Sequence, residues 1–289
     1  MAAVEFTYRC DTRQAKRRPH PVDAAAAQAR LEDGNRRFFE AFKPAARGLR
    51  VARQHVIPID PADLGVAPGT RGAVVQRPFA AILGCADARV PIELVFNEGP
   101  NNLFVVRIAG NGLGADALGS LAYAADHLRD YMKLVVVLGH SGCGAVAAAV
   151  DNFLTPSQYF DLGGDMALRG VLDRLTIVAQ AASRRIQAEF GRDIVDHPGF
   201  RDALIAGATV TNATLVAGMV RRELAKRHGK PPRTVYGIYQ VDTRRVWSVD
   251  GASGERPGLS EPPVGAAAVA RLAAHLVRSP RIRVPLGRG

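Results

Sequence analysis

The stretch Phe79 to Arg89, FAAILGCADAR, sets a short apolar run against an abrupt change to cysteine, aspartate and arginine. A run this short and this apolar, bounded by polar residues, reads as a buried strand. Two more runs repeat the pattern, Leu103 to Ile108 and Leu134 to Gly139, and the last enters His140-Ser141-Gly142-Cys143. Helical stretches, Pro91 to Asn97 and Ala115 to Arg129, lie between them. The alternation β-α-β-α-β predicts an α/β fold, a mostly parallel central sheet flanked by helices and joined by right-handed crossovers.

Upstream, Asp23 to Phe42 reads as an amphipathic helix with Leu31, Phe38, Phe39 and Phe42 gathering on one side, weakened but not broken by Gly34. It forms an N-terminal helical arm. Residues 43–77 are rich in Pro, Gly and Arg and read as a linking segment. Downstream, helical patterns run from about Met166 to Phe190 and Arg201 to His228, and Val235 to Val241 with Arg245 to Val249 reads as one or two terminal strands. A Gly/Pro-rich stretch and one amphipathic helix, Val264 to Val277, complete a C-terminal extension. The chain therefore divides into a basic N-terminal segment (1–22), a central domain (23–250) and a basic tail (251–289).

The 289 residues are 47% hydrophobic, enough for a sizeable core, and 22% charged, which argues against wholesale disorder. Three cysteines are too few for a disulfide scaffold, and no apolar run approaches the roughly 20 residues of a membrane span. Of the net charge of +11, +9 sits in residues 1–50 and 251–289, so the middle is nearly neutral. This distribution points to solvated basic ends; no nucleic-acid or membrane partner is expected, and an acidic partner for the tails stays open. The first residues lack an apolar signal core, so a cytoplasmic location is expected, where thiols stay reduced and serve as ligands or nucleophiles.

Ligands in open α/β sheets sit beyond the carboxyl ends of strands. Two such ends carry chemistry, Cys85-Ala86-Asp87-Ala88-Arg89 and His140-Ser141-Gly142-Cys143, and parallel neighbours would bring both to one rim. Cys85, His140 and Cys143 there form a two-cysteine, one-histidine set suited to zinc with a fourth position open, an arrangement of catalytic rather than structural sites. Cys10 has no ligand-type neighbour and reads as a free thiol.

With these residues in place, the chain resembles the β-class carbonic anhydrases of the open, type I-like form. The resemblance is carried by LGCADARVPIE at Leu83 to Glu93, NLFVVR at Asn102 to Arg107, SLAYAADHL at Ser120 to Leu128 and LGHSGCGAV at Leu138 to Val146. It runs from about Asp23 to Val249, and it includes GNRRF at Gly34 to Phe38 in the family's N-terminal helix. It implies reversible hydration of CO2 to bicarbonate and a proton, with one Zn2+ per subunit on Cys85, His140 and Cys143 and with zinc-bound hydroxide as nucleophile. Asp87 and Arg89 match the catalytic dyad, Gln76 the amide that binds bicarbonate, and Phe104 and Tyr123 aromatic residues lining the cleft. A homodimer or higher homo-oligomer is implied too, in which N-terminal helices embrace the partner; Phe38, Phe39 and Phe42 are the side chains available, with packing on their own subunit as the alternative.

Physical chemistry supplies the reasons for these residue types. Zinc acidifies bound water, less so when two thiolates cancel its charge, so activity should rise toward alkaline pH. Asp87 can accept the hydrogen of the attacking group while Arg89 keeps the carboxylate ionised and turned from the metal by a bidentate pair. An extended Cys85 to Arg89 would face the odd-numbered side chains one way. Ile82 stands where shut-off family members carry tryptophan, although Arg107 matches the arginine of their bicarbonate pocket. Ala88 replaces a commoner serine, and Ile108-Ala109-Gly110-Asn111 a commoner Asn-Val-Ala-Asn.

Other readings compete. Gly110 to Ala115, GNGLGA, formally satisfies a dinucleotide fingerprint, but His140 stands where the acidic residue after the next strand is needed. A cysteine hydrolase leaves the second cysteine and the Asp-Arg pair unexplained. A COS or CS2 hydrolase on the same scaffold, or a zinc-stabilised binding protein with vestigial activity, remain the alternatives. No proton shuttle is evident among His55, His127, His197 and His228.

Overall fold

The three apolar runs become three neighbouring strands. In the computed structural model, which describes residues 4–12, 18–43, 53–67, 69, 71–157, 166–227 and 231–288, they form part of a six-stranded sheet. The strands are β1 (Val4–Cys10), β2 (Arg53–Ile59), β3 (Ala80–Gly84), β4 (Leu103–Arg107), β5 (Leu134–His140), β6 (Arg233–Tyr239), β7 (Val246–Asp250) and β8 (Gly254–Pro257). The large sheet has the order β4-β3-β5-β6-β7-β8, parallel from β4 to β6 and antiparallel beyond. The helices are α1 (Ala24–Ala41), α2 (Ile92–Val95), α3 (Ala115–His127), α4 (Gly144–Leu154), α5 (Met166–Phe190), α6 (Phe200–Arg227), α7 (Gly265–Arg278) and α8 (Pro280–Arg283).

Period-two alternation in the central strands separates two apolar layers. Ala81, Leu83, Val135 and Val137 join the larger core with α3 to α7, whereas Ala80, Ile82, Leu134, Val136 and Leu138 join the smaller one with α1 and α2. Every residue of β3 and β5 is buried, as a sheet covered on both faces requires. α6 is apolar enough over one 18-residue window to match a membrane span in length and composition, but 72% of that window is buried within the protein.

α1 starts as predicted, with Asp23 capping the Ala26 N–H at 2.8 Å. It packs on its own chain. Gly34 is needed for this contact, since a Cβ there would lie 1.9 Å from the Phe96 carbonyl oxygen. Asn35 ties three segments together, donating to the Val95 and Arg244 carbonyls at 3.1 and 3.0 Å and accepting from the Val246 N–H at 2.8 Å. Arg30 clamps the fully buried Glu98 carboxylate at 2.7 and 2.6 Å. Phe38 is buried against Phe6 of β1, and Arg245 and Arg244 cover Phe39 and Phe42.

Both ends of the chain correct the reading of solvated tails. β1 pairs in parallel with β2, so residues 1–22 and 43–77 contribute a two-stranded sheet. Val4, Phe6 and Tyr8 alternate with Glu5, Thr7 and Arg9, a strand period that the segment's charge masked. At the other end β8 adds to the main sheet, while Leu272, Leu276, Val277, Ile282 and Leu286 enter the larger core. Arg256, Arg278 and Arg281 pair with Glu32, Glu189 and Glu255, so part of the tail's charge is answered internally. α4 has no counterpart among the predicted elements, and His228, expected to end α6, lies outside the described residues.

Gly34→Ala is expected to lower stability by about 1–3 kcal/mol, the cost of overpacking a site with no room. Urea unfolding checks this, and an unchanged midpoint contradicts the close packing of α1 on Phe96.

Candidate metal centre

Register brings the two chemical loops to one rim. In the parallel pairing of β3 with β5, Gly84 lies opposite Leu138, so Cys85 and His140 emerge together. Gly142 turns the chain at φ 64°, a left-handed conformation suited to glycine, and delivers Cys143 to the N-cap of α4. Cys85, His140 and Cys143 are all buried, and their ligand atoms lie within 4.8 Å of one another.

Whether these residues fit a metal can be tested on their own atoms. Two thiolates sharing a tetrahedral zinc at about 2.3 Å would lie about 3.8 Å apart. The Cys85 and Cys143 sulfurs are 3.9 Å apart. His140 Nδ1 lies 3.0 Å from the Ser141 carbonyl, which can only accept, so Nδ1 carries the proton and Nε2 keeps a lone pair. That buried Nε2 has no hydrogen-bond partner among the described residues. Without an ion the two sulfurs share a proton: donation from Cys143 and from the Asp87 and Gly110 N–H groups holds Cys85 well below the ordinary thiol range, while the Cys85 thiolate and burial push Cys143 up. A cation between the sulfurs would answer both thiolates and the imidazole at once, so the set fits a soft or borderline divalent ion.

Asp87 stands beside the cluster. Its carboxylate accepts from Arg89 Nε at 3.0 Å, from Nη2 at 2.6 Å and from the Arg89 N–H at 2.9 Å. Arg89 thereby holds the Asp87 pKa down to about 2, and Oδ2 lies 3.8 Å from His140 Nε2. The pair forms differently from the predicted extended run. β3 ends at Gly84 and the chain turns at residues 88–89, with Val90 N–H donating to the Asp87 carbonyl at 3.0 Å, and Arg89 folds back across two residues.

Supports for this loop escaped the sequence reading. Arg107 donates to the carbonyls of Cys85 and Asp87 at 3.0 and 2.6 Å, and the Gly110 N–H points to Cys85 Sγ at 3.3 Å. Buried Asn212 fixes Gly110 in turn, donating to its carbonyl at 2.8 Å. Gly110 sits at φ 62°, so the glycines that imitate a dinucleotide fingerprint shape a turn that serves the sulfur. Glycines directly after a strand were the available signal; Asn212, a hundred residues on, had none.

Three further candidates belong to the substrate side. Gln76 is exposed, Tyr123 is 50% exposed with its ring 4.7 Å from His127, and Phe104 is half-buried in edge strand β4. Among the histidines, His55 is bonded to Asn97 and His197 accepts from the Gly199 N–H. Cys10 is exposed and free.

Residues 80–192, which contain the whole cluster, match the family model described as carbonic anhydrase. Over these residues the chain is similar to carbonic anhydrases. It is 36% identical over 154 residues to a carbonic anhydrase of Mycolicibacterium smegmatis, covering 52% of this chain and 62% of that one. It is 41% identical over 129 residues to carbonic anhydrase 2 of Mycobacterium tuberculosis, covering 45% and 54%. The chain thus spans less than two thirds of the length of these curated relatives. The solved structure of the β-carbonic anhydrase CafA of Aspergillus fumigatus aligns over 70% of this chain and 85% of its own, at 22% identity and a TM-score of 0.47.

Zinc loading is expected to protect Cys85 and Cys143 from a thiol reagent and to leave Cys10 reactive. Mass spectrometry of the labelled chain reads this out. Equal labelling of all three cysteines with and without zinc contradicts the ligand set.

Proposed function

We propose that this chain is a β-class carbonic anhydrase that catalyses the reversible hydration of CO2 to bicarbonate and a proton, with one zinc ion held by Cys85, His140 and Cys143. The observation that carries the reading is an ionised carboxylate held within 3.8 Å of an unpartnered imidazole nitrogen, next to two sulfurs at zinc-like spacing. When bound, zinc supplies Lewis acidity that makes water a nucleophile, moderated by two thiolates, so activity is expected to rise with pH. The chain's own residues do the rest. Asp87, kept ionised by Arg89, accepts the hydrogen of the attacking group and sets its orientation. Arg89 occupies both carboxylate oxygens and reaches the Gly142 carbonyl at 2.8 Å, which keeps Asp87 beside the ligand set rather than in it. Asp87 needs no titration near neutral pH, because Arg89 has already fixed its charge.

Gln76, Phe104 and Tyr123 belong to the substrate side of this proposal. Because Gln76 and Tyr123 are exposed on one chain, they can wall a cleft only where a second chain covers them, and a homodimer is part of the same reading. Its support is β4, an edge strand whose Leu103 to Val106 are apolar and only half-buried. Two thiolate ligands also suit a reducing, cytosolic setting.

Stopped-flow CO2 hydration across pH, on protein of measured zinc content, tests the reaction. The wild type should gain activity toward alkaline pH, and Asp87→Ala should lose about 100-fold or more in kcat/KM. A zinc-loaded wild type that is inactive at alkaline pH contradicts the proposal, and sulfide release from COS or CS2 by the same sample would replace it.

A further inference from the structure

The C-terminal tail reaches the back of the metal centre through one side-chain chain. Arg281 of α8 stacks its guanidinium over Trp247, the chain's single tryptophan, with 4.4 Å to the ring centroid. The same guanidinium faces Gln240, which is 5% exposed and so has little water to turn to. With the amide oriented by its neighbours, its oxygen accepts from Arg281, 3.2 Å from Nε, and its nitrogen donates to Ser141 Oγ at 2.8 Å. Ser141 Oγ also accepts from the Val241 N–H at 3.0 Å, and the Ser141 N–H donates to the Tyr239 carbonyl at 2.9 Å. Ser141 is therefore tied at three points. Its remaining polar atom, the carbonyl oxygen, is the one that accepts from His140 Nδ1, and the next carbonyl, Gly142, accepts from Arg89.

We propose that Arg281 and Gln240 are positioning residues for the metal centre: the chain Arg281–Gln240–Ser141 locks the 141–142 backbone so that His140 presents Nε2 and Arg89 stays on Asp87. The proposal deepens the metal-centre reading and rests on it. It assigns the tail a role that the match to residues 80–192 does not contain. The physical basis is general. A ligating histidine is oriented, and its tautomer set, by the acceptor of its other ring nitrogen, and loosening such a partner costs roughly 10- to 100-fold in metal affinity. Here the acceptor is a backbone carbonyl, which a substitution at Ser141 cannot remove, so the side chains that fix that carbonyl become the adjustable element. Arg281 is suited to this because its charge is answered by Glu255 at 3.7 Å, which leaves a directed hydrogen bond to the amide.

The test is zinc affinity of the full chain, by competition with a chelator well below the unfolding temperature. Gln240→Leu, which keeps the volume and removes the amide, and Arg281→Met should each raise the zinc Kd about tenfold or more. Arg281→Lys, which keeps a donor for the amide, should recover most of that loss. Arg278→Met removes a tail arginine that pairs with Glu189 outside this chain, and it should leave the Kd unchanged. The Arg281 side chain is 36% exposed, so its variants are informative even where Gln240→Leu fails to fold. Kd values within twofold of wild type for both Gln240→Leu and Arg281→Met overturn the proposal, as does an equal loss in Arg278→Met. Weakened zinc binding in a protein that does not hydrate CO2 would leave the positioning intact and remove the proposed reaction; hydration with unchanged affinities would do the reverse.

Discussion

Two buried sulfurs 3.9 Å apart, with an unpartnered imidazole nitrogen beside them, set the terms for the rest of the structure. Burying such groups without full hydrogen bonding is unfavourable, and the arrangement persists only because strong secondary structure holds both loops. β3 and β5 supply that frame. They are fully buried, adjacent and in register, so their carboxyl ends are fixed by the whole apolar sandwich rather than by local contacts.

Around this pair, residues from distant elements hold the loops in place. Arg107 from β4 holds the first loop, Asn212 from α6 holds the Gly110 turn behind Cys85, and Gln240 at the end of β6 meets the second loop through Ser141. The tail and α1 act one step further out. α7 and α8 close the larger core, and α1, locked by Glu98 and Asn35, closes the smaller. The geometry of three ligand atoms is in this sense a property of nearly the whole chain.

What the sequence revealed follows the same physics. Apolar runs ending in Cys85 and His140 announce buried parallel strands, because only such strands are apolar on both faces, and the ligand set is legible from residue types at their ends. The pairing of Asp87 with Arg89 was legible too, though not the turn at Ala88 that makes it. Less was visible where a role depends on long-range packing. Gly34 looked like a weakness in α1 and is the point of closest approach to Phe96; Gly110 looked like half a nucleotide motif and aims an N–H at Cys85. β1 was hidden because charged residues mask its alternation, β2 because it carries Pro58 in a Pro/Gly-rich stretch, and β8 because it is only four residues long. The tail's basic residues suggested solvent, while its leucines, spaced along α7, belonged to the core.

The central claim is a metal site made of two thiolates and one imidazole with one position left to solvent. X-ray absorption at the zinc edge of the loaded protein measures this most directly. The account predicts two sulfurs at about 2.3 Å and two lighter ligands at about 2.0 Å. A shell without sulfur, with a single sulfur, or with more than two would contradict it.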